Sequence, residues 1–314
     1  MPISGSVGAA TIDGAATSGH DLVRFADAAM FEAKHHGPGH RALADTSLIT
    51  SVEGQVDGEG QLREALVPDG LTLQYQPVVD AADRVTMAEA LVRWPHPEHG
   101  MLSPDVLLPI AERGGLMCAL DRWVLRTALT EATRWPHSQG HPVSVAVNLA
   151  GLLPDGAEAV HEITTILAET GIDPTRAVLE ITETTLVDVP ERTRAAMREL
   201  AEHGVRFAID DFGTGYSSLA RLKDLPVHIL KLDRTLIPQH PGDVTNRAIT
   251  QAVVDISHTT GHRCLAEGVE TTTQLQLLQT IGLDAYQGWP FSHPVTAANL
   301  HRLLNNTAPQ NSKP

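Results

Sequence analysis

The chain has 314 residues, with 23 Lys and Arg against 38 Asp and Glu, a net charge of −15. A hydrophobic content of 42% with 19% charged residues is a globular composition and excludes a disordered chain. So acidic a chain is a poor polyelectrolyte partner for a nucleic-acid polymer, and no run reaches the ~18 apolar residues of a membrane span.

The N-terminal MPISGSVGAATIDG lacks the basic start and apolar stretch of a signal peptide. Two cysteines, Cys118 and Cys264, make no disulfide framework. They fit a reducing, cytoplasmic setting. DLVRFADAAMFEAKHHG reads as an amphipathic helix ended by Gly37 and Pro38. Residues 46–60 are polar and glycine-bearing, a linker or helix lead-in.

Apolar strand-like runs then alternate with helical segments. The predicted strands are Leu71–Val79, Val85–Trp94, Val143–Leu149, Ala177–Thr182, Val205–Asp210, His228–Leu232, Arg263–Ala266 and Asp284–Gly288. Between the second and third lies Ser103-Pro104-Asp105, a helix start with proline at the first turn. Further helices are predicted over 156–170, 190–203, 243–260, 271–281 and 296–305. Eight strands with intervening helices point to an α/β chain folded as a (β/α)8 TIM-like barrel. Asp80 to Arg84 is too short for a parallel crossover, so the first strand is expected to run antiparallel to the second. His96 and His99, in the loop WPHPEHG, offer too few converging ligands for zinc.

Polar residues close nearly every strand. They are Glu89 to Arg93, Asn148, Glu180 with Glu183, Asp210-Asp211, Lys231 with Asp233, Glu267 with Glu270, and Gln287. The C-terminal strand ends are where barrels keep their chemistry. Glu, Asp and Asn are hard oxygen donors, which suit Mg²⁺ or Mn²⁺ rather than zinc. Crowded acids would repel one another without cations. A two-metal site for phosphoryl displacement satisfies both requirements. Lysine is scarce, so Lys231 within a core-like strand stands out as a group to steady water or phosphate.

From about Gln61 to Leu304 the chain resembles the EAL family of cyclic di-GMP phosphodiesterases. The resemblance rests on LQYQPVV, EALVRW, the segment Pro97 to Leu120, NLA, LEITET, DDFGTGYSSL, LPVHILKLDRTLI, AEGVET and QGWPFSHP. It implies that Glu89, Asn148, Glu180 and Asp210 ligate a first metal. Asp210 would bridge to a second, with Asp211 nearby. Glu267 would act as general base or second-metal ligand, and Lys231 would position the water, so that Glu267, Lys231 and Glu89 form the catalytic set. Gln76, Leu91, Arg93 and Gln287 would contact cyclic di-GMP. Glu183 would anchor the loop Phe212–Ser218, and Glu270 would support the site. The implied product is linear pGpG, and the implied assembly is a homodimer. Some members only bind the nucleotide or a protein, so a non-catalytic receptor is the competing reading.

Two departures stand out: His228 replaces a usual aspartate and Trp289 a usual tyrosine. Residues 1–45, through SGSVGAA and FADAAMFEAKHHGPG, resemble the end of a GGDEF domain without its signature turn. The expected organisation is thus a remnant at 1–45, a linker at 46–60, the barrel at 61–306 and a disordered tail at 307–314.

Overall fold

The computed structural model describes residues 7–9, 41–43, 58–67, 70–153, 156–213 and 224–306. Two short strands, β1 (Val7–Ala9) and β2 (Arg41–Leu43), pair in parallel. The amphipathic helix expected before Gly37, the tail and the middle of the loop after Asp211 fall outside the described residues. Residues 58–65 are helical, so helix α1 begins inside the stretch expected to be linker.

The barrel strands are β3 (Thr72–Asp80), β4 (Val85–His96), β6 (Ser144–Asn148), β7 (Ala177–Thr182), β8 (Arg206–Phe212), β9 (Ile229–Leu232), β10 (Arg263–Val269) and β11 (Ala285–Gly288). Strand β3 pairs antiparallel with both β4 and β11, and these pairings close the cylinder. The other neighbours are parallel. The expected reversal of the first strand is therefore present. Its turn is held by Asp80, whose Oδ1 accepts the N–H groups of Ala82 and Arg84, and Asp83 adopts φ +57°.

Helices cover the outside: α2 (Pro104–Arg113), α3 (Met117–Ala132), α4 (Ala157–Thr170), α5 (Glu191–Glu202), α6 (Val244–Thr259), α7 (Thr272–Ile281) and α8 (Ala297–Asn306). Besides β2, two small strands were not foreseen. Strand β5 (Gly100–Leu102) forms a hairpin with the end of β4, and β12 (Val295–Thr296) lies on β3. The segment read as the loop WPHPEHG is thus partly strand. His96 is buried there, its Nε2 bonded to Gln61 Oε1 at 2.8 Å. Its Nδ1 accepts from the N–H groups of Glu98 and His99. Both ring nitrogens are occupied in tying α1 to the hairpin, which leaves neither for a metal.

The interior follows the period-two alternation of strands. Val78, Met87, Ala146, Val178, Ala208, Ile229, Leu265 and Ala285 form one buried apolar cluster, one residue from each barrel strand. The alternate residues, such as Val145, Leu179, Ile209 and Leu230, point outward into the larger core beneath the helices. One inward step beyond the apolar layer lies a second layer: Gln76, Glu89, Asn148, Glu180, Asp210, Lys231, Glu267 and Gln287. Every barrel strand contributes one apolar and one polar side chain in succession, and the polar layer faces the C-terminal mouth.

Candidate active site

Lys231 stands at the centre of the polar layer and is fully buried. Its Nζ lies 2.6 Å from Glu267 Oε1, 2.7 Å from Glu180 Oε2, 3.1 Å from Asp210 Oδ1 and 3.6 Å from Glu89 Oε2. Burial disfavours the ammonium, but Glu180, Glu267, Glu89 and Asp210 more than reverse this and hold its pKa well above the usual lysine range. Burial drives Glu180 strongly up despite Lys231. Burial likewise pushes Glu267 up to about 8, against the pull of Lys231. At Asp210 the desolvation penalty is outweighed by Lys231, and its pKa falls below the usual value. Lys231 therefore favours the ionised form at Asp210, whereas burial favours the protonated form at Glu267.

Two groups of carboxylates have their oxygens mutually within 4.8 Å: Glu89, Glu180 and Asp210, and Asp210, Asp211 and Glu267. Asp210 belongs to both. Glu180 Oε1 is buried with no hydrogen-bond partner among the described residues. A buried carboxylate oxygen left unpaired is costly. A hard divalent cation is a fitting partner, and the all-oxygen donor set agrees.

Local irregularity aims these acids. The β8–β9 register shifts between Ile209 and Phe212, and the β10–β11 register shifts between Ala266 and Val269. These bulges contain Asp210-Asp211 and Glu267-Gly268, and bulges re-aim side chains at barrel rims. Asp211 takes φ +54°, so consecutive aspartates reach the same mouth. Burial and the neighbouring Asp210 and Asp233 raise the Asp211 pKa, which a cation would reverse.

The sequence-predicted nucleotide contacts gather on one side. Gln287 Nε2 donates to Glu89 Oε2 at 2.7 Å and to Gln76 Oε1 at 3.3 Å. Gln76 Nε2 donates to the Ser292 carbonyl. Asn148 Nδ2 donates to Glu89 Oε1 at 2.9 Å. Leu91 and Arg93 follow Glu89 on the same strand face. Arg93 is braced by Gln74 Oε1 and the Val92 carbonyl.

Glu183 is buried, and its Oε2 accepts the Gly213 N–H at 2.7 Å. Gly213 has φ +105°, and a Cβ there would sit 2.1 Å from Leu236 Cδ1, so only glycine fits. Glu183 thus grips the start of the loop Phe212–Ser218, of which residues from 214 onward lie outside the described set. Glu270 is exposed, and it joins its surroundings through its backbone N–H, which donates to Gln274 Oε1. Its carboxylate stands outside the polar layer.

Sequence reasoning missed Asp121. This buried acid on α3 accepts three backbone N–H groups on one oxygen, from Ala150, Gly151 and Leu152, at 2.7–3.1 Å. It fixes the chain immediately after Asn148. The available signal was an aspartate inside the apolar face Leu120, Val124, Ala128.

The EAL domain family matches residues 59–294. The bifunctional diguanylate cyclase/cyclic di-GMP phosphodiesterase MucR of Pseudomonas aeruginosa is 36% identical over 299 residues, which is 95% of this chain and 44% of MucR. The cyclic di-GMP phosphodiesterase NbdA of the same organism is 36% identical over 306 residues, 97% of this chain and 39% of NbdA. The chain thus spans less than half the length of these relatives. Among solved structures, the PaMucR phosphodiesterase in complex with c-di-GMP superposes with a TM-score of 0.72 at 37% identity, covering 78% of this chain and 99% of that one. The EAL domain of Mycobacterium smegmatis DcpA gives 0.64 at 32% identity, covering 77% and 98%.

Proposed function

The chain belongs to the EAL domain family, and from that premise we propose that it is a metal-dependent phosphodiesterase that hydrolyses cyclic di-GMP to linear pGpG. The observation that carries the reading is the pair of acid clusters sharing Asp210 around a buried lysine. A binding surface alone has no use for so many desolvated carboxylates, whereas phosphodiester cleavage does.

Glu89, Asn148, Glu180 and Asp210 would hold one Mg²⁺ or Mn²⁺, and Asp210, Asp211 and Glu267 a second. Cations bound there supply Lewis-acid polarisation of the phosphoryl oxygens. The protein's own groups do the rest. Glu267 would accept a proton from the attacking water in its ionised form, which Lys231 and bound cations favour against the burial that otherwise raises its pKa. Lys231 keeps its charge and holds Glu267, Glu180 and Asp210 in fixed relation, and it offers a donor to water or phosphate oxygen. Arg93 brings positive charge to the rim, and Gln76, Gln287 and Leu91 position the dinucleotide.

Three further parts of the proposal concern context. Residues 1–45 are read as a GGDEF remnant, consistent with the parallel pair β1–β2. The setting is cytoplasmic, in keeping with two cysteines that form no disulfide with each other. Among the described residues no helix is long and apolar enough to cross a membrane. The working form is a homodimer, as the family resemblance implies, and light scattering across a concentration series tests it.

Chromatography of cyclic di-GMP incubated with the chain and Mg²⁺ or Mn²⁺ tests the activity. Appearance of pGpG, abolished by chelator, is the expected result. Nucleotide binding without cleavage under both metals would leave a receptor.

A further inference from the structure

We propose that the opposite, N-terminal end of the barrel holds a site for a single small monovalent anion of the halide class. It is built from Arg206, Arg263 and Ser144.

These residues lie four positions before Asp210, Glu267 and Asn148 on strands β8, β10 and β6. The even spacing turns them toward the barrel axis beneath the apolar layer, with Ser144 buried, Arg206 half-buried and Arg263 exposed at the rim. Together with Thr86 they line a cavity of about 20 Å³ whose remaining walls are apolar, among them Met87 and Leu265. Among the described residues no carboxylate lines it. In a chain of net charge −15, two arginines facing one cavity without an acid are not explained by surplus base.

The counter-charge is missing for identifiable reasons. Arg206 Nη2 donates to Ser144 Oγ, and its Nε is buried with no hydrogen-bond partner among the described residues. Burial and then Arg263 lower the Arg206 pKa, and Asp173 opposes them only weakly. The Asp173 carboxylate is engaged by the backbone and hydroxyl of Thr175. His228, where the resembling family usually has aspartate, accepts the Phe207 N–H on Nδ1. Burial, Arg206 and His262 lower its pKa, and it supplies no negative charge in any state.

An unpaired, partly desolvated guanidinium seeks an anion. Ser144 already accepts from Arg206, so its own proton is free to donate into the cavity. The size selects the ligand. About 20 Å³ is room for one water-sized particle, which favours a monatomic anion such as chloride or bromide over a larger oxyanion. The apolar layer separates this floor from the acids above, so the anion is insulated from the mouth. The inference stands apart from the phosphodiesterase reading and does not depend on turnover.

Thermal unfolding of the whole chain in sodium chloride, bromide or gluconate at equal ionic strength tests it. The expected result is a saturable rise in Tm of about 2–4 °C in either halide over gluconate. Arg206→Met should lose that difference. Should Arg206→Met fail to fold, Arg263→Met carries the same expectation. Equal melting of the parent in all three salts, or an undiminished halide response in these variants, would overturn the proposal. So would a bromide-soaked crystal with no anomalous peak beside Arg206.

Discussion

Lys231 and Glu180 form an ion pair at 2.7 Å with side-chain exposures of 1% and 0%. Neither partner can find water if the other is lost. Breaking a buried pair from one side typically costs about 3–5 kcal/mol, because an uncompensated charge remains. Here the remaining charge would be a cluster of like-signed carboxylates.

Lys231→Met should therefore lose about 3–5 kcal/mol of stability without metal. Saturating Mn²⁺ should restore part of the loss by supplying positive charge to the same oxygens. Urea unfolding with and without Mn²⁺ measures both. A Lys231→Met protein as stable as the parent without metal would show that the acids do not depend on this lysine.

Glu267→Gln should separate binding from chemistry. The amide retains shape and can still meet Lys231, but it cannot take a proton. Turnover of cyclic di-GMP is expected to fall about 10²–10⁴-fold, while calorimetric binding of the nucleotide persists. A rate near the parent's would assign the base elsewhere.

The sequence made much of this site legible because strands impose period two. Once Glu180 and Asp210 are placed at strand ends, their convergence in a closed barrel follows. The reversed first strand was equally legible, since five residues cannot span a parallel crossover. What local pattern could not give was aim. The bulges at Asp210-Asp211 and Glu267-Gly268 depend on register against neighbouring strands. The hairpin that buries His96 was hidden by two prolines flanking it, which read locally as loop.

The stability of the metal-free protein should fall as pH rises. Burial pushes the Glu267 pKa up to about 8 in the fold, against 4.5 for an ordinary glutamate. Between those values the folded state keeps a proton that the unfolded chain has released. Its contribution is thus complete below the unfolded pKa and is lost as pH rises through the folded one. The Tm in chelator is expected to decline from about pH 5 to about pH 8, and Mg²⁺ should flatten that decline by favouring the ionised form. A chelated protein whose Tm climbs over this range would contradict the raised pKa.

Glu183→Ala removes the acceptor for the Gly213 N–H, two residues beyond Asp211. Outer groups that orient ligands typically contribute about 10–100-fold in metal affinity. The variant should bind Mn²⁺ more weakly by that order, with an unchanged far-ultraviolet circular dichroism spectrum. Glu183→Gln, whose amide oxygen can still accept, should recover most of the affinity. Equal Mn²⁺ affinity in all three proteins would make the contact incidental.

Asp121 provides a test at a distance from the acids. Its Oδ2 gathers the N–H groups of Ala150, Gly151 and Leu152, and the turn they form begins directly after Asn148. Gly151 is pressed against α3, where a Cβ would lie 2.6 Å from the Cys118 nitrogen, so the turn cannot retreat to solvent without opening that contact. Asp121→Ala strands donors that cost about 1–3 kcal/mol each when buried and unpaired. Relaxation and entering water should reduce the sum, so a loss of about 2–4 kcal/mol is expected in urea unfolding. Asp121→Asn keeps an oxygen acceptor but loses the charge that serves three donors at once, and should fall between the two. Asn148 rides on this turn and donates to Glu89, so Mn²⁺ affinity should weaken in the same order as stability. An Asp121→Ala protein with reduced stability but parental Mn²⁺ affinity would confine Asp121 to folding and detach it from the site.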